Sequence, residues 1–507
     1  MLLPFIYRLR QYSHSTIAGC PEHVTINLTI YKHKIARSHS NTSISRWPKF
    51  ARMSDSDSMV SRGDSMEEFR DNGLVIKGPP RALEKIYDYE PGGHHPVHLG
   101  DILNKRYEVI HKLGSGGYAN VWLCCDEMSD VPKFAAVKII MAEGSTHDCP
   151  ELRVNKLKAL GLDEGPLAEH FCLPLDKFDI SGPNGQHYAF VYPVLGPRVS
   201  RMLNVERSED PGTTLRQLSL QTAKAMAALH VRGICHGDFR PANILARISG
   251  LDGLSKHDIF QALGQPKTAK VTTRSGENHN EPTAPQYLVH PIDWDDVELS
   301  ALGANFITAK ACVIDFGESF DMSEPPQDMG IPQVYCSPEY TVDKVVGVGS
   351  DIWALGCTLF EIRTARKLFD TFDDDQDEYL CKMAMMLGKL PEPWWSTWET
   401  RNLFFQDNAD GDGRVVEIRR ESPQPETGNM DVGFEDTVMQ VPEPRSIKDA
   451  IIIGLYYENK YGPGGVRHDI SQEETDVFSD LLMKIFRYDP KERLTASQVL
   501  DHAWFKL

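Results

Sequence analysis

Between His236 and Asn243 the chain reads His-Gly-Asp-Phe-Arg-Pro-Ala-Asn, which puts a carboxylate (Asp238), a cation (Arg240) and a carboxamide (Asn243) on one short stretch. That combination suits the transfer of a phosphoryl group. An aspartate can accept the proton of an attacking hydroxyl, an asparagine five residues on can hold a divalent cation, and a cation between them offsets charge on the transferring group. A loop with Asp and Asn is also what an ordinary capped turn looks like, so the surrounding sequence has to decide.

Further groups of the same chemistry lie on both sides. Leu113-Gly114-Ser115-Gly116-Gly117-Tyr118-Ala119-Asn120-Val121 sets small residues where backbone amides can approach phosphates with no Cβ in the way, although many hairpins carry similar glycines. Lys138 sits in the apolar run Phe134-Ala135-Ala136-Val137-Lys138-Ile139, and an ammonium in such a run asks for an anionic partner. Glu151 is the candidate, 13 positions on, behind Pro150 at a helix start; the alternative is a surface glutamate that favours the helix dipole. Val313-Ile314-Asp315-Phe316-Gly317 is an apolar strand ending in an aspartate at a glycine turn, and Asp315 with Asn243 offers the hard oxygens that Mg²⁺ prefers.

The elements that must position these groups follow from pattern. Strands are expected around Tyr107–Ile110, Phe134–Ile139 and on both sides of the Gly182-Pro183-Asn184-Gly185 turn. Leu215, Leu218, Ala225, Ala228 and Leu229 mark a helix over about 214–232 that delivers the central loop. Leu152 and Leu157 lie toward the packed side of the helix behind Pro150, and Asp351 opens a strongly apolar helix.

In this order the motifs resemble those of protein kinases: a glycine-rich loop, a V-A-I-K strand at Lys138, an H-R-D-type loop at Asp238 and D-F-G at Asp315. The lead-in Glu90-Pro91-Gly92-Gly93-His94-His95-Pro96-Val97-His98-Leu99-Gly100-Asp101, the stretch Phe178 to Gly196 and an insertion between the two loops narrow the likeness to the serine/arginine-rich-protein kinases (SR-protein kinases), particularly their divergent fungal relatives. The resemblance implies an α+β, two-lobed protein kinase fold with a β-rich small lobe and a mostly helical large lobe. It implies a disordered tail over 1–75, a lead-in over 76–106 and a kinase domain over 107–507, with lobes about 107–195 and 196–507 and inserts about 249–302 and 399–447. ATP and Mg²⁺ are the implied cofactors. Asp238, Arg240, Lys138 and Glu151 would be catalytic; Leu113, Gly114, Ser115, Gly116, Gly117, Val121, Ala136, Lys138, Tyr192, Pro193, Leu195 and Leu245 would line the ATP site; Asn243 and Asp315 would hold the metal. Tyr192 would stand behind adenine, Leu245 beneath it, and Glu339 would pair with Arg493. Implied substrates are basic or Arg/Ser-rich proteins, phosphorylated on Ser or Thr by a monomeric enzyme without activation-loop phosphorylation.

Three departures support the competing reading of a pseudokinase that binds nucleotide or acts as a scaffold. Arg240 replaces a lysine, Pro332 replaces a threonine, and Asn155 falls one helical turn past Glu151 where an apolar residue is expected. Composition sets the outer bounds. A net charge of −18 argues against direct nucleic-acid contact, and no apolar run approaches the roughly 20 residues of a membrane span. Ten cysteines without a C-x-x-C pattern read as reduced thiols of an intracellular protein, in cytoplasm and nucleus. The first 53 residues contain one acid, Glu22, among eight lysines and arginines, which is consistent with a disordered basic tail or a mitochondrial-type address, and Met53 is an alternative start. The run Asp370 to Glu378 could meet arginine side chains or be a solvated loop.

Overall fold

The computed structural model describes residues 72–78, 82–201, 211–294, 297, 306–371, 374–409, 415–417, 444–458 and 465–507. The basic tail and most of the second insert lie outside the described residues.

β1 (Leu74–Ile76) stands apart from the main small-lobe sheet, whose strands are β2 (Ile102–Leu103), β3 (Tyr107–Ser115), β4 (Ala119–Asp126), β5 (Phe134–Ile140), β6 (Asp176–Gly182) and β7 (Gly185–Tyr192), hydrogen-bonded in the order β2-β3-β4-β5-β7-β6. β-branched and aromatic residues alternate along them, and one face buries Val109, Trp122, Val137, Ile139 and Val191 in a common cluster. The ladder places Gly114 opposite Val121, Val121 opposite Lys138, and Ala136 opposite Tyr192. Paired residues share a face, so the glycine turn, Lys138 and Tyr192 are brought to one side of the sheet by register alone.

After β5 the chain makes a 3₁₀ turn, Pro150–Arg153, and then only six residues of α-helix, α1 (Val154–Ala159). This overturns the reading of Asn155. A 3₁₀ turn takes three residues rather than 3.6, so the apolar positions below Glu151 are Val154 and Leu157, both buried, while Asn155 is exposed.

In the large lobe, β8 (Leu195–Arg198), the helix α2 (Pro211–Val231), β9 (Ile234–Cys235) and β10 (Ile244–Ile248) bracket the central loop. α2 buries Leu215, Leu218, Ala225, Ala228 and Leu229, the stripe expected from sequence, and Met226 beside them. The insert contributes α3 (Lys256–Leu263), β11 (Thr268–Thr273) and β12 (Tyr287–Val289); β13 (Ile307–Val313) and β14 (Phe320–Asp321) return to the lobe. Next come α4 (Pro338–Asp343), α5 (Val348–Thr364) and α6 (Gln376–Leu387). α5 is buried over nearly its whole length, as a helix apolar on all sides must be. At its middle Gly356 is required by close approach, since a Cβ there would lie 2.6 Å from Ile485 and 2.8 Å from Phe486.

The first insert does not hang free. β11 pairs with both β12 and β1, so a strand of the lead-in and two strands of the insert make one small sheet around Leu74, Ile86, Tyr89, Val271 and Leu288. The polar stretch after Lys267 therefore contains a strand, because its Thr and Val residues are β-branched and β1 supplies a partner. α3 packs its apolar face on Ile110, Leu123 and Phe134 of the small lobe. Beneath the small sheet Glu84 of the lead-in meets Lys112 of β3 at 2.5 Å, both side chains almost fully buried, and accepts a 2.7 Å hydrogen bond from the Tyr89 hydroxyl.

Candidate active site

Lys138 donates to Glu151 Oε2 at 2.7 Å and approaches Asp315 Oδ1 at 3.4 Å. Burial opposes the charge on Lys138, but the Asp315 and Glu151 carboxylates outweigh it and hold the ammonium well above the usual lysine range. Lys138 in turn holds the Asp315 carboxyl below the ordinary value, against burial. Asp315 adopts a left-handed backbone at φ 59°, uncommon for a residue with a side chain, and this turns its carboxylate off the end of β13 toward Lys138. Glu151 Oε1 accepts a further hydrogen bond from the Tyr192 hydroxyl.

The second group is built on the loop between β9 and β10. Asp238 is buried and receives Arg240 Nε on both oxygens, at 2.9 and 3.1 Å. Asn243 donates its amide to Asp238 Oδ2 at 2.7 Å and to the Asp238 carbonyl at 2.9 Å, so its side-chain oxygen is the atom that could ligate a cation. Burial pushes the Asp238 carboxyl up, Arg240 pulls it down and Asp315 pushes it up again; the balance lies at about 7. Such a carboxylate is a far better base than a free aspartate.

A buried scaffold fixes this loop. Asp351, at the start of α5, accepts the backbone N–H of His236 at 2.7 Å and of Gly237 at 3.0 Å, and pairs with His230 at 3.1 Å. Thr358, two turns along the same helix, donates to the Phe239 carbonyl at 3.2 Å. His236 is wholly buried and kept neutral by burial; its Nδ1 accepts the Asp238 N–H at 3.2 Å, so Nε2 carries the proton donated to the Ile314 carbonyl at 3.1 Å. One neutral imidazole thus joins the segment bearing Asp238 to the segment bearing Asp315. Its ring also packs on Phe316, centroids 5.2 Å apart. Gly237 is left-handed at φ 79°, and a Cβ there would sit 2.3 Å from the Glu318 carbonyl oxygen, so only glycine fits.

The remaining residues singled out from the sequence are spread over the neighbouring strands and turns. Tyr192, Leu195 and Leu245 share an apolar cluster with Cys172, Cys312 and Ile314, and β10 pairs Leu245 with Arg198 and Arg247 with Leu195. Pro193 is half-buried, while Leu113 packs in a different cluster with Ile110 and Leu123. At Gly114 and Gly117 an added Cβ would meet nothing within 4 Å, so the turn is open to a phosphate. Ser115 and Gly116 complete the turn, with Gly116 N–H donating to the Ala119 carbonyl at 2.9 Å. Pro332 caps the short 3₁₀ turn Gln333–Tyr335 and offers no hydroxyl to the loop. Glu339 and Arg493 form a buried, two-pronged ion pair at 2.7 and 2.6 Å. Sequence reasoning missed the Tyr192 hydroxyl, Thr358 and His230; only the placement of Tyr192 beside Glu151 could have drawn notice, and that needs the fold.

The family described as the protein kinase domain matches residues 304–505. Serine/threonine-protein kinase SRPK of Physarum polycephalum is 24% identical over 454 residues, covering 86% of this chain and 93% of that protein. Serine/threonine-protein kinase spk-1 of Caenorhabditis elegans is 34% identical over 235 residues, 45% of this chain and 22% of the relative. SRSF protein kinase 3 of Homo sapiens is 33% identical over 162 residues, 31% of this chain and 28% of the relative.

Proposed function

We propose that the chain is a serine/threonine protein kinase of the SR-protein kinase type and that it phosphorylates serines set among arginines, using ATP with Mg²⁺. The observation that carries the reading is the joining of two groups: Lys138, Glu151 and Asp315 on one side, Asp238, Arg240 and Asn243 on the other, coupled through His236. Lys138 balances the phosphates of the nucleotide. Asn243 and Asp315 supply the hard oxygens for Mg²⁺, which when bound neutralises phosphate charge. Asp238, with its carboxyl near 7, orients the substrate hydroxyl and takes its proton, while Arg240 stays charged beside it. The pseudokinase reading is not favoured: the relatives are named as protein kinases, and none of the three departures removes Lys138, Asp238, Asn243 or Asp315.

Charge supports an arginine-rich substrate. From Phe316 to Asp343 the chain carries Glu318, Asp321, Glu324, Asp328, Glu339 and Asp343 with no lysine or arginine. Glu318, Glu324 and Asp328 are exposed, and Asp370 and Asp374 add exposed carboxylates beyond α5. Part of this acidic set is engaged within the fold: Asp328 accepts the Tyr340 hydroxyl, Glu318 accepts the Gly330 N–H at 3.3 Å, Asp375 caps α6 and Asp377 accepts the Trp398 indole N–H at 2.9 Å. The guanidinium fork suits the carboxylates that remain. The test is transfer of labelled phosphate to Arg-Ser, Lys-Ser and Ala-Ser repeat peptides of equal length. The reading expects kcat/KM to fall in that order, and equal rates on Arg-Ser and Ala-Ser would overturn it.

A further inference from the structure

The short helix that bears Glu151 raises a question of how it is held. Six residues of α-helix after one 3₁₀ turn have little stability of their own, so Glu151 depends on tethers. Several are at the surface: Lys156 pairs with Asp321 at 3.0 Å with both side chains substantially exposed, and Arg153 donates to the Gly317 carbonyl from an exposed position. Surface pairs of this kind contribute little. Val154 and Leu157 anchor the helix in the core, and two tethers hold the Glu151 carboxylate itself, one on each oxygen. Oε2 takes the Lys138 ammonium at 2.7 Å and Oε1 takes the Tyr192 hydroxyl.

Tyr192 is well placed to act this way. It ends β7, directly opposite Ala136 and two residues along the same face from the position paired with Lys138, so the tyrosine and the lysine leave one rigid sheet side by side. Its ring packs against the cluster of Ala119, Ile140, Cys149, Phe190 and Leu152, the residues that border the Glu151 turn. With both oxygens anchored to the sheet, the carboxylate cannot rotate, and Lys138 has one fixed partner. We propose that Tyr192 is a positioning residue: its hydroxyl fixes Glu151, and through Glu151 the ammonium of Lys138, in the orientation that meets the phosphates. This rests on the reading of Lys138 as the phosphate-holding lysine.

Tyr192→Phe separates the role of the hydroxyl from that of the ring, because phenylalanine keeps the apolar wall. Binding of adenosine and of the non-hydrolysable β,γ-imido analogue of ATP with Mg²⁺ is measured by calorimetry on wild type, Tyr192→Phe, Glu151→Gln and the double variant, with melting curves to confirm folding. A hydrogen bond to a charged group is lost, so the analogue should bind Tyr192→Phe about tenfold more weakly and kcat should fall comparably, while adenosine affinity stays unchanged. In the Glu151→Gln background Tyr192→Phe should add nothing, because the charged acceptor is already gone. Equal losses for adenosine and the analogue would make Tyr192 a wall of the pocket only, and fully additive losses in the double variant would break the link to Glu151; either overturns the inference. A wild type that binds neither ligand would remove the nucleotide reading itself and the inference with it.

Discussion

Replacing Arg240 by glutamine should move the acid limb of activity. Asp238 must be ionised to take the substrate proton, and its carboxyl, held at about 7, is raised by burial and lowered by Arg240. Activity is therefore present above that value and lost as pH falls through it. The guanidinium nitrogen lies 2.9 and 3.1 Å from the two carboxylate oxygens, with both residues buried. An opposite charge at that range lowers a carboxyl by about one to three units, so its removal should raise the limb by that much. Taking a shift of about 1.5 units, the ionised fraction at pH 7.5 drops from about three quarters to about one tenth, roughly an eightfold loss from protonation alone. The assay is kcat/KM for one peptide against pH, at fixed Mg²⁺ and saturating ATP, for wild type, Arg240→Gln and Arg240→Lys. Recovery of the glutamine variant toward pH 9, with the lysine variant close to wild type, is the expected pattern. An acid limb that stays put in Arg240→Gln would refute the idea that Arg240 sets the basicity of Asp238.

Other consequences concern the scaffold. Glu339→Ala leaves Arg493 buried without its carboxylate and should cost about 3–5 kcal/mol in urea unfolding, whereas a loss under 1 kcal/mol would make the pair dispensable. Glu84→Ala strands the fully buried Lys112 ammonium and should destabilise by a similar ~3–5 kcal/mol, of which Lys112→Met on top should restore a large part; equal stability of single and double variants would contradict the pairing. Asn155→Leu, at an exposed position, should leave stability within about 0.5 kcal/mol and kcat within about twofold of wild type, as surface changes usually do.

The candidate catalytic groups were legible because the proposed chemistry dictates residue type and order: a lysine in an apolar strand, an aspartate and an asparagine five apart, an aspartate at a glycine turn. The two lobes followed from the family resemblance that these motifs carry, while periodicity marked single elements, such as Leu215 to Leu229 on α2. What stayed hidden depends on backbone detail or on distant pairing. The 3₁₀ turn before α1 shifts the register under Glu151 by part of a turn, which no residue type announces, and this misplaced Asn155. β1 pairs with β11 from nearly 200 positions away, so neither strand is visible without the other. Arg240 turned onto Asp238, and the Tyr192 hydroxyl onto Glu151, are choices of rotamer and neighbour that only the packed structure fixes.

The central claim is that Asp238 performs proton acceptance in phosphoryl transfer to a serine. Transfer of labelled phosphate from ATP with Mg²⁺ to an Arg-Ser repeat peptide by wild type and Asp238→Asn tests it most directly. Asparagine keeps the shape and removes the base, so the account predicts transfer to serine by wild type and a loss of about 10²–10⁴-fold in the variant. A variant that is folded and as fast as wild type, or a folded wild type inert on this and on other basic peptides, would contradict it.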